Sequence, residues 1–298
     1  MTAFPRFVPH REPALRLSGE PGRLELTFLG VGSGFATTMF QSNLVAIKGR
    51  SHVMIDMGTR APLALRDAGL SPLDIRYLLP THSHADHVGG IEEWCLRARY
   101  GTPRPDGGRE RGKPRLVATA QYARILWEET LRGGLSYAKE SGRDGRLSLA
   151  DYVDLWPCEP VEGHTRPVYR TVIGEGADAI SLTLMRTNHV PSGPFESAGA
   201  FYSVGVLIDD RVLVTGDTMF DRELLEEFGA RADAIFHDCQ AVTGGVHASY
   251  DELTALPAAI KRKTLLYHLS DGIREAREPE ADGFAGFAAD FREGHYAF

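Results

Sequence analysis

The 298 residues are 43% hydrophobic and 24% charged, the balance of an ordinary globular protein long enough for one large domain or two small ones. A net charge of −7 argues against a large nucleic-acid ligand, which demands a positive footprint. No run approaches the roughly 18 apolar residues of a membrane span. The opening "MTAFPRFVPHREPALRL" places prolines and charges where a signal peptide needs an apolar core, so a cytoplasmic chain is expected. Cys95, Cys158 and Cys239 are scattered without a CxxC, which speaks against a disulfide framework or a thiolate zinc site.

Residues 1–24 read as an extended arm, ahead of a single domain over 25–298. "LELTFLG" is a predicted strand, followed by the glycine-rich "GVGSGF". "NLVAIKG" and "SHVMIDMG" form a strand pair around the turn Gly49-Arg50-Ser51. "APLALRDAGL" has helical periodicity, and Ser71-Pro72 fits an N-cap followed by proline at the first helical position. A strand over 75–80 runs into "THSHADHVGG", and a helix then carries Ile91, Trp94 and Cys95 on one face. The stretch "RARYGTPRPDGGRERGKPR" over 97–115 is rich in Arg and Lys and, from its Pro and Gly content, a surface loop. Residues 100–180 show no regular pattern.

Beyond them, "AISLTLMRTNHV" is a strand ending in His189. "FYSVGVLI", the turn Asp209-Asp210 and "RVLVTGD" form a hairpin. "DRELLEEFGA" is a short capped helix, "ADAIFHDC" a strand, and Ser249 and Glu252 have capping-box spacing before a helix that Pro257 bends or restarts. "TLLYHL" is a last strand, ending at His268. Alternating strands and helices point to an α/β architecture.

Ligand-type residues collect at the predicted strand ends: His82, His84, Asp86, His87, His189, Asp217 and His268. Open α/β sheets build their sites at the carboxyl ends of strands, so residues far apart in the chain can converge there. His82 and His84, two apart in extended chain, point the same way and can grip one cation. Asp86 and His87, at the turn into a helix, can serve a second. His189 can complete the first site and His268 the second, with Asp217 between them. Imidazole and carboxylate suit zinc, manganese or iron, and two such metals about 3.5–4 Å apart can share a hydroxide at neutral pH.

HxHxDH after a strand, then a histidine, "GD" and a late histidine, resembles the metallo-β-lactamase superfamily over about residues 25–298. The resemblance implies an αββα sandwich, two mixed sheets flanked by helices, with a dinuclear site at one edge. It places His82, His84 and His189 on one metal, Asp86, His87 and His268 on the other, Asp217 as the bridge, and Asp56 of "MIDMG" behind the site as the residue that orients a ligand. The layout of "GLSPLDIRYLLPTHSHADHVGG" and "YSVGVLIDDRVLVTGDT" is similar to ribonuclease Z and its small phosphodiesterase relatives. There a glutamate-histidine pair assists the leaving group; here "FHDC" and "GGVHAS" offer Asp238 and His247 in similar places, with the aspartate shorter than the glutamate of that family.

The expected activity is therefore that of a metal-dependent hydrolase, holding one or two zinc ions (or manganese or iron) and cleaving a small phosphodiester. Hydrolytic dehalogenation of a chlorinated aromatic is the alternative, because the first forty residues are similar to aryl dehalogenases of the chlorothalonil dehalogenase type. Such a reaction needs an aromatic pocket, for which Phe35, Phe40, Trp94, Trp156, Phe195 and Phe201 are candidates. A metal-binding protein without turnover and an iron-dependent dioxygenase are the remaining readings. A homodimer through the arm and the aromatic tail "GFAGFAADFREGHYAF" is also expected, and His237 is assigned to structural packing.

Overall fold

The computed structural model describes residues 5–10, 14–101, 112–137, 146–195, 197 and 199–298. Most of the basic stretch predicted as a surface loop lies outside them. The strands in chain order are β1 (Arg6–Pro9), β2 (Leu24–Gly30), β3 (Asn43–Lys48), β4 (Ser51–Ile55), β5 (Tyr77–Leu79), β6 (Arg115–Ala118), β7 (Asp154–Pro157) and β8 (Glu159–Val161). They continue as β9 (Val168–Ile173), β10 (Ile180–Arg186), β11 (Val204–Ile208), β12 (Val212–Val214), β13 (Ala234–Asp238), β14 (Thr264–Tyr267), β15 (Gly286–Phe287) and β16 (Gly294–Ala297).

Two eight-stranded sheets result, ordered β1-β16-β2-β3-β4-β5-β6-β7 and β15-β14-β13-β12-β11-β10-β9-β8. In each sheet one half is antiparallel and the other, β4 to β7 or β12 to β15, is parallel. Both sheets are therefore mixed, with helices flanking them, which is the αββα sandwich. The facing strands read as continuous apolar runs because they are buried on both sides: "NLVAIK" in β3 and "VGVLI" in β11 have scarcely an exposed position. Phe28 of β2 meets Phe236 of β13 at 4.9 Å between ring centroids, and Phe236 meets Tyr296 of β16 at 5.0 Å, so aromatic side chains lock one sheet onto the other.

Local chemistry sets the element ends as the sequence indicates. Lys48 pairs with Ser51 across the β3–β4 turn. Ser71 accepts from the Leu73 amide at the start of the Pro72–Asp74 turn. Ser249 and Glu252 cap the helix Tyr250–Thr254 reciprocally, and Pro257 starts a second helix, Ala258–Lys261. The expected N-terminal arm contains β1, which pairs antiparallel with β16, Arg6 opposite Ala297.

The stretch 100–180 needs correction. Its described part is regular: β6, a helical segment over 120–135 that includes a π-helical stretch from Leu126 to Leu131, and β7 to β9. Its periodicity is masked because β7 and β8 are short and mostly exposed, and the π-turn breaks the 3.6-residue repeat. Among the described residues no helix is long and apolar enough to cross a membrane.

Trp94 is also not a pocket residue. It is 0% exposed, and its indole N–H donates to the Ile75 carbonyl at 3.1 Å. Trp94→Ala is expected to cost about 3–5 kcal/mol of stability, from lost burial and the cavity left behind, measured as a lower urea midpoint with metal binding retained at low denaturant.

Candidate metal centre

Every ligand-type residue singled out in the sequence lies at or just beyond the carboxyl end of a strand, and all of these ends meet at one edge of the sandwich. β5 ends at Leu79 and delivers His82; β10 delivers His189, β12 delivers Asp217 and β14 delivers His268. Backbone hydrogen bonds, among them the following two, hold the sheets together here. The Val204 amide donates to the Thr81 carbonyl at 3.2 Å, and the Leu269 amide donates to the Val31 carbonyl at 2.8 Å. His82 therefore stands beside the start of β11, and His268 beside the glycine-rich loop after β2.

Unusual backbone conformations aim the side chains. Gly216 has φ +62°, and a Cβ there would lie 2.5 Å from the Val204 carbonyl oxygen, so only glycine turns the chain tightly enough to present Asp217. Asp56 and His268 also have φ of 62°, a left-handed conformation that costs about 1–3 kcal/mol in a non-glycine residue and persists only where the surroundings enforce it.

Three of the histidines, His82, His87 and His189, spend one ring nitrogen on the protein and turn the other inward. His82 Nδ1 lies 3.1 Å from Thr81 Oγ1, His189 Nδ1 donates to the Val246 carbonyl at 2.8 Å, and His87 Nδ1 donates to Asp56 at 2.7 Å. Asp56 is itself fixed by the Thr81 amide at 2.6 Å and hydroxyl at 2.8 Å. These outer contacts settle which nitrogen is free.

The free nitrogens form two groups. His82 Nε2 and His189 Nε2 each lie 3.0 Å from His84 Nδ1. In the second group, Asp86 Oδ2 is 3.3 Å from His87 Nε2 and 3.2 Å from His268 Nε2. Asp217 Oδ2 stands between the groups, 3.1 Å from His87, 3.4 Å from His268, 3.7 Å from His82 and 3.8 Å from His189. Ligands about 2.1 Å from a tetrahedral cation are about 3.4 Å from one another, so both groups have the dimensions of a divalent metal site. His87 Nε2 and Asp217 Oδ1 are buried with no hydrogen-bond partner, as atoms reserved for a cation would be.

Electrostatics agrees. Burial pushes the pKa values of His82, His84 and His189 below the ordinary histidine value, which keeps them neutral, the form that binds metal. Burial also disfavours a charged Asp217, but His268, His87 and His82 outweigh it and hold the carboxyl far below its usual range. His87 is pulled the other way: burial opposes its cation, and Asp217 and Asp56 overcome that and raise its pKa. Buried Asp217 and partly buried Asp86 thus sit among imidazoles, and divalent cations would compensate them more fully. The donor set of nitrogen and oxygen accepts zinc, manganese or iron.

Asp238 and His247 are adjacent to this cluster. Despite the short aspartate, His247 Nδ1 lies 3.0 Å from Asp238 Oδ2, and the carboxylate also accepts from the Thr218 amide at 3.1 Å. The His247 side chain is 18% exposed and its ring stacks on His268 at 4.6 Å. Of the aromatic candidates, Phe201 alone contacts the metal-site histidines, its ring 5.1 Å from His84 and 5.8 Å from His189. Phe35 is 96% exposed, on a loop where a Cβ at Gly34 would lie 2.9 Å from Asp86 Oδ2; Trp156 packs against Tyr77 in the first sheet.

Sequence reasoning missed three supports. Asn43 holds the Gly58 amide and the Asp86 carbonyl. Asp221 makes a bidentate pair with buried Arg166 at 2.7 and 3.0 Å and accepts from Asn188, the residue before His189. Arg186 donates to the carbonyls of Phe195, Phe201 and Ser203, tying down the loop after His189. A charged residue closing the otherwise uncharged strand "ISLTLMR" was the available signal for Arg186.

Two outcomes follow. Asp56→Ala frees the His87 ring and is expected to lower affinity for the second cation about 10–100-fold with the fold intact, measured by chelator competition. Burial pushes the Asp221 carboxyl up, but Arg166 more than offsets it and holds its pKa below the ordinary 3.8. The pair's stabilisation is then full above about pH 4 and disappears as pH falls through the folded-state value. The stability gap between the parent chain and Asp221→Asn, read from urea midpoints, should therefore shrink from pH 7 toward pH 3.

Comparison with known proteins matches this architecture. The Anti-Pycsar protein Apyc1 family profile covers residues 24–293. The Anti-Pycsar protein Apyc1 of Paenibacillus sp. (strain J14) is 35% identical over 260 residues, 85% of this chain and 92% of that one. Among solved structures, the metallo-β-lactamase fold protein YhfI from Bacillus subtilis aligns over 93% of this chain and all of its own, with TM-score 0.61 and 14% identity. The short form of human tRNase Z aligns over 90% of this chain and 97% of its own, with TM-score 0.53 and 14% identity. At such identities the structures establish the fold, that of the metallo-β-lactamase proteins, while sequence establishes kinship: the chain belongs to the Anti-Pycsar protein Apyc1 family.

Proposed function

We propose that this protein is a metal-dependent phosphodiesterase acting on a small substrate, with cyclic nucleotides as the class. The observation that carries the reading is the pair of cation-sized ligand groups joined by Asp217, with the His247–Asp238 pair against it. Divalent cations held by His82, His84, His189 and Asp217, and by Asp86, His87, His268 and Asp217, would supply Lewis acidity toward a phosphodiester and a nucleophile at neutral pH.

The chain's own residues supply the rest. Asp86 and Asp217 concentrate negative charge that keeps cations bound, and Asp56 fixes the ring of His87. His247, braced by Asp238 and open to solvent on one side, is placed to protonate the departing ester oxygen. Phe201 screens the histidine cluster from water on one side. A small substrate fits the net charge of −7, which repels a polynucleotide. Cyclic nucleotides meet the size limit because both ester bonds close on one sugar.

The test is turnover of bis(p-nitrophenyl) phosphate and of 3′,5′-cyclic nucleotides by protein loaded with zinc or manganese, with Asp86→Ala as the control. Turnover that the substitution abolishes is the expected result. Failure of a metal-replete protein on every diester, together with chloride release from chlorinated aromatics, would move the assignment to the dehalogenase reading. His247→Ala separates the proton donor from the metal: it should slow cleavage of a cyclic nucleotide, whose alkoxide needs a proton, about 10²–10⁴-fold. Nitrophenyl ester cleavage, with a leaving group that departs unprotonated, should fall far less.

A further inference from the structure

His237 lies on β13 between Phe236, whose ring meets Phe28 of the first sheet, and Asp238, the carboxylate that braces His247. Its side chain is 0% exposed, in a strand whose preceding residues, "AIF", are apolar. Packing alone does not account for a histidine there. Nε2 of His237 is buried with no hydrogen-bond partner among the described residues, a loss of stability that leucine or phenylalanine in the same place would avoid.

The other ring nitrogen accounts for the residue. Nδ1 donates to the Asp238 carbonyl at 2.7 Å and stands 3.1 Å from Asp238 Oδ1. Consecutive side chains of a strand ordinarily point to opposite faces. At Asp238, the last residue of β13, the two approach each other instead.

The Asp238 carboxylate is itself fully buried and needs both of its oxygens compensated. Oδ2 accepts from the Thr218 amide and from His247 Nδ1. Oδ1 has no hydrogen-bond partner among the described residues, and the polar edge beside it is Nδ1 of His237. The backbone here is already fixed: His237 pairs with Leu266 and Asp238 with Tyr267 of β14, and the Asp238 amide donates to Thr215 Oγ1 at 3.2 Å. What the backbone leaves free is rotation of the Asp238 side chain. A carboxylate turned away from His247 would release that ring, and the His237 ring stands where it opposes the turn.

Resting on the phosphodiesterase reading, in which His247 protonates the departing oxygen, we infer that His237 is a positioning residue: it holds Asp238 so that Oδ2 keeps His247 Nδ1 and aims His247 Nε2 at the leaving group. As the P–O bond breaks, its electron pair stays on the ester oxygen. The proton of His247 Nε2 converts that oxygen to a hydroxyl, and the proton on Nδ1 remains against Asp238.

The test uses the full chain loaded with zinc or manganese and three variants. His237→Asn places an amide N–H where Nδ1 stood, His237→Gln places it where Nε2 stood, and His237→Leu has neither. His237→Leu is expected to lower kcat for 3′,5′-cyclic AMP about 10–100-fold with KM and metal content unchanged. Cleavage of bis(p-nitrophenyl) phosphate, whose leaving group departs unprotonated, should slow less than about threefold. His237→Gln carries the same expectation should the leucine variant fail to fold, and His237→Asn restores most of the rate. In the His247→Ala background His237→Leu slows nothing further, because the donor it serves is gone. Equal slowing of both esters, a full additive loss in that background, or unchanged rates in the leucine and glutamine variants overturns the assignment. Nitrogen NMR of the imidazoles in the zinc-loaded chain reads the same role without turnover. His247 is expected to keep its proton on Nδ1 in the parent chain and in His237→Asn, and to mix tautomers in His237→Gln. A parent chain that cleaves no diester removes the phosphodiesterase reading; the tautomer shift would then still support His237 as the brace of Asp238, and its absence would overturn that too.

Discussion

One buried carboxylate governs the rest of this structure. Asp217 is 1% exposed, and its Oδ2 lies within 3.8 Å of nitrogens of five histidines: 82, 87, 189, 247 and 268. A lone carboxylate in such a place would take up a proton to avoid the cost of burial. The surrounding imidazoles prevent that, and they do so in a geometry that also suits two cations. The ligands, the carboxylates that orient them and the loops that carry them are arranged around the need to keep one negative charge compensated.

That need bears on two of the four non-glycine residues with left-handed backbone, the other two being Asp209 and Asp210 in the β11–β12 turn. Left-handed backbone at Asp56 and His268 works against the chain, yet both residues lie in the first or second layer around Asp217. The cost is carried by the apolar sheets, whose aromatic contacts between β2, β13 and β16 leave the strand ends little freedom. A well-packed sandwich is what permits an irregular, charged edge.

The cluster of ligand-type residues was legible in the sequence because its signal is local. "HSHADH" cannot be explained by packing, and "TGD" and "YHL" each place a ligand straight after an apolar run. Strand pairs joined by short turns were legible for the same reason, as in β3 with β4. Features that depend on distant partners were not. β1 is exposed along most of its length and becomes a strand only beside β16, at the other end of the chain. Trp94 and Phe201 are both aromatic residues near site elements, and no pattern separates the one that fills the core from the one that faces histidines. The 100–180 stretch defeated periodicity because a π-turn and short, mostly exposed strands carry little of it. Arg186 was visible as a charge in an apolar strand, but its role depends on three carbonyls 9–17 residues further on.

The two sheets contribute unequal halves of the metal centre. His82, His84, Asp86 and His87 come with the first sheet, and His189, Asp217 and His268 with the second, joined by the backbone links Thr81–Val204 and Val31–Leu269. Neither half alone offers a closed coordination sphere. A nascent chain that has made only β2 to β7 of the first sheet therefore has four of the seven ligand-type residues and nowhere to seat a cation firmly. Tight metal retention would then report that both sheets are made and docked, and a seated cation would tie one layer to the other.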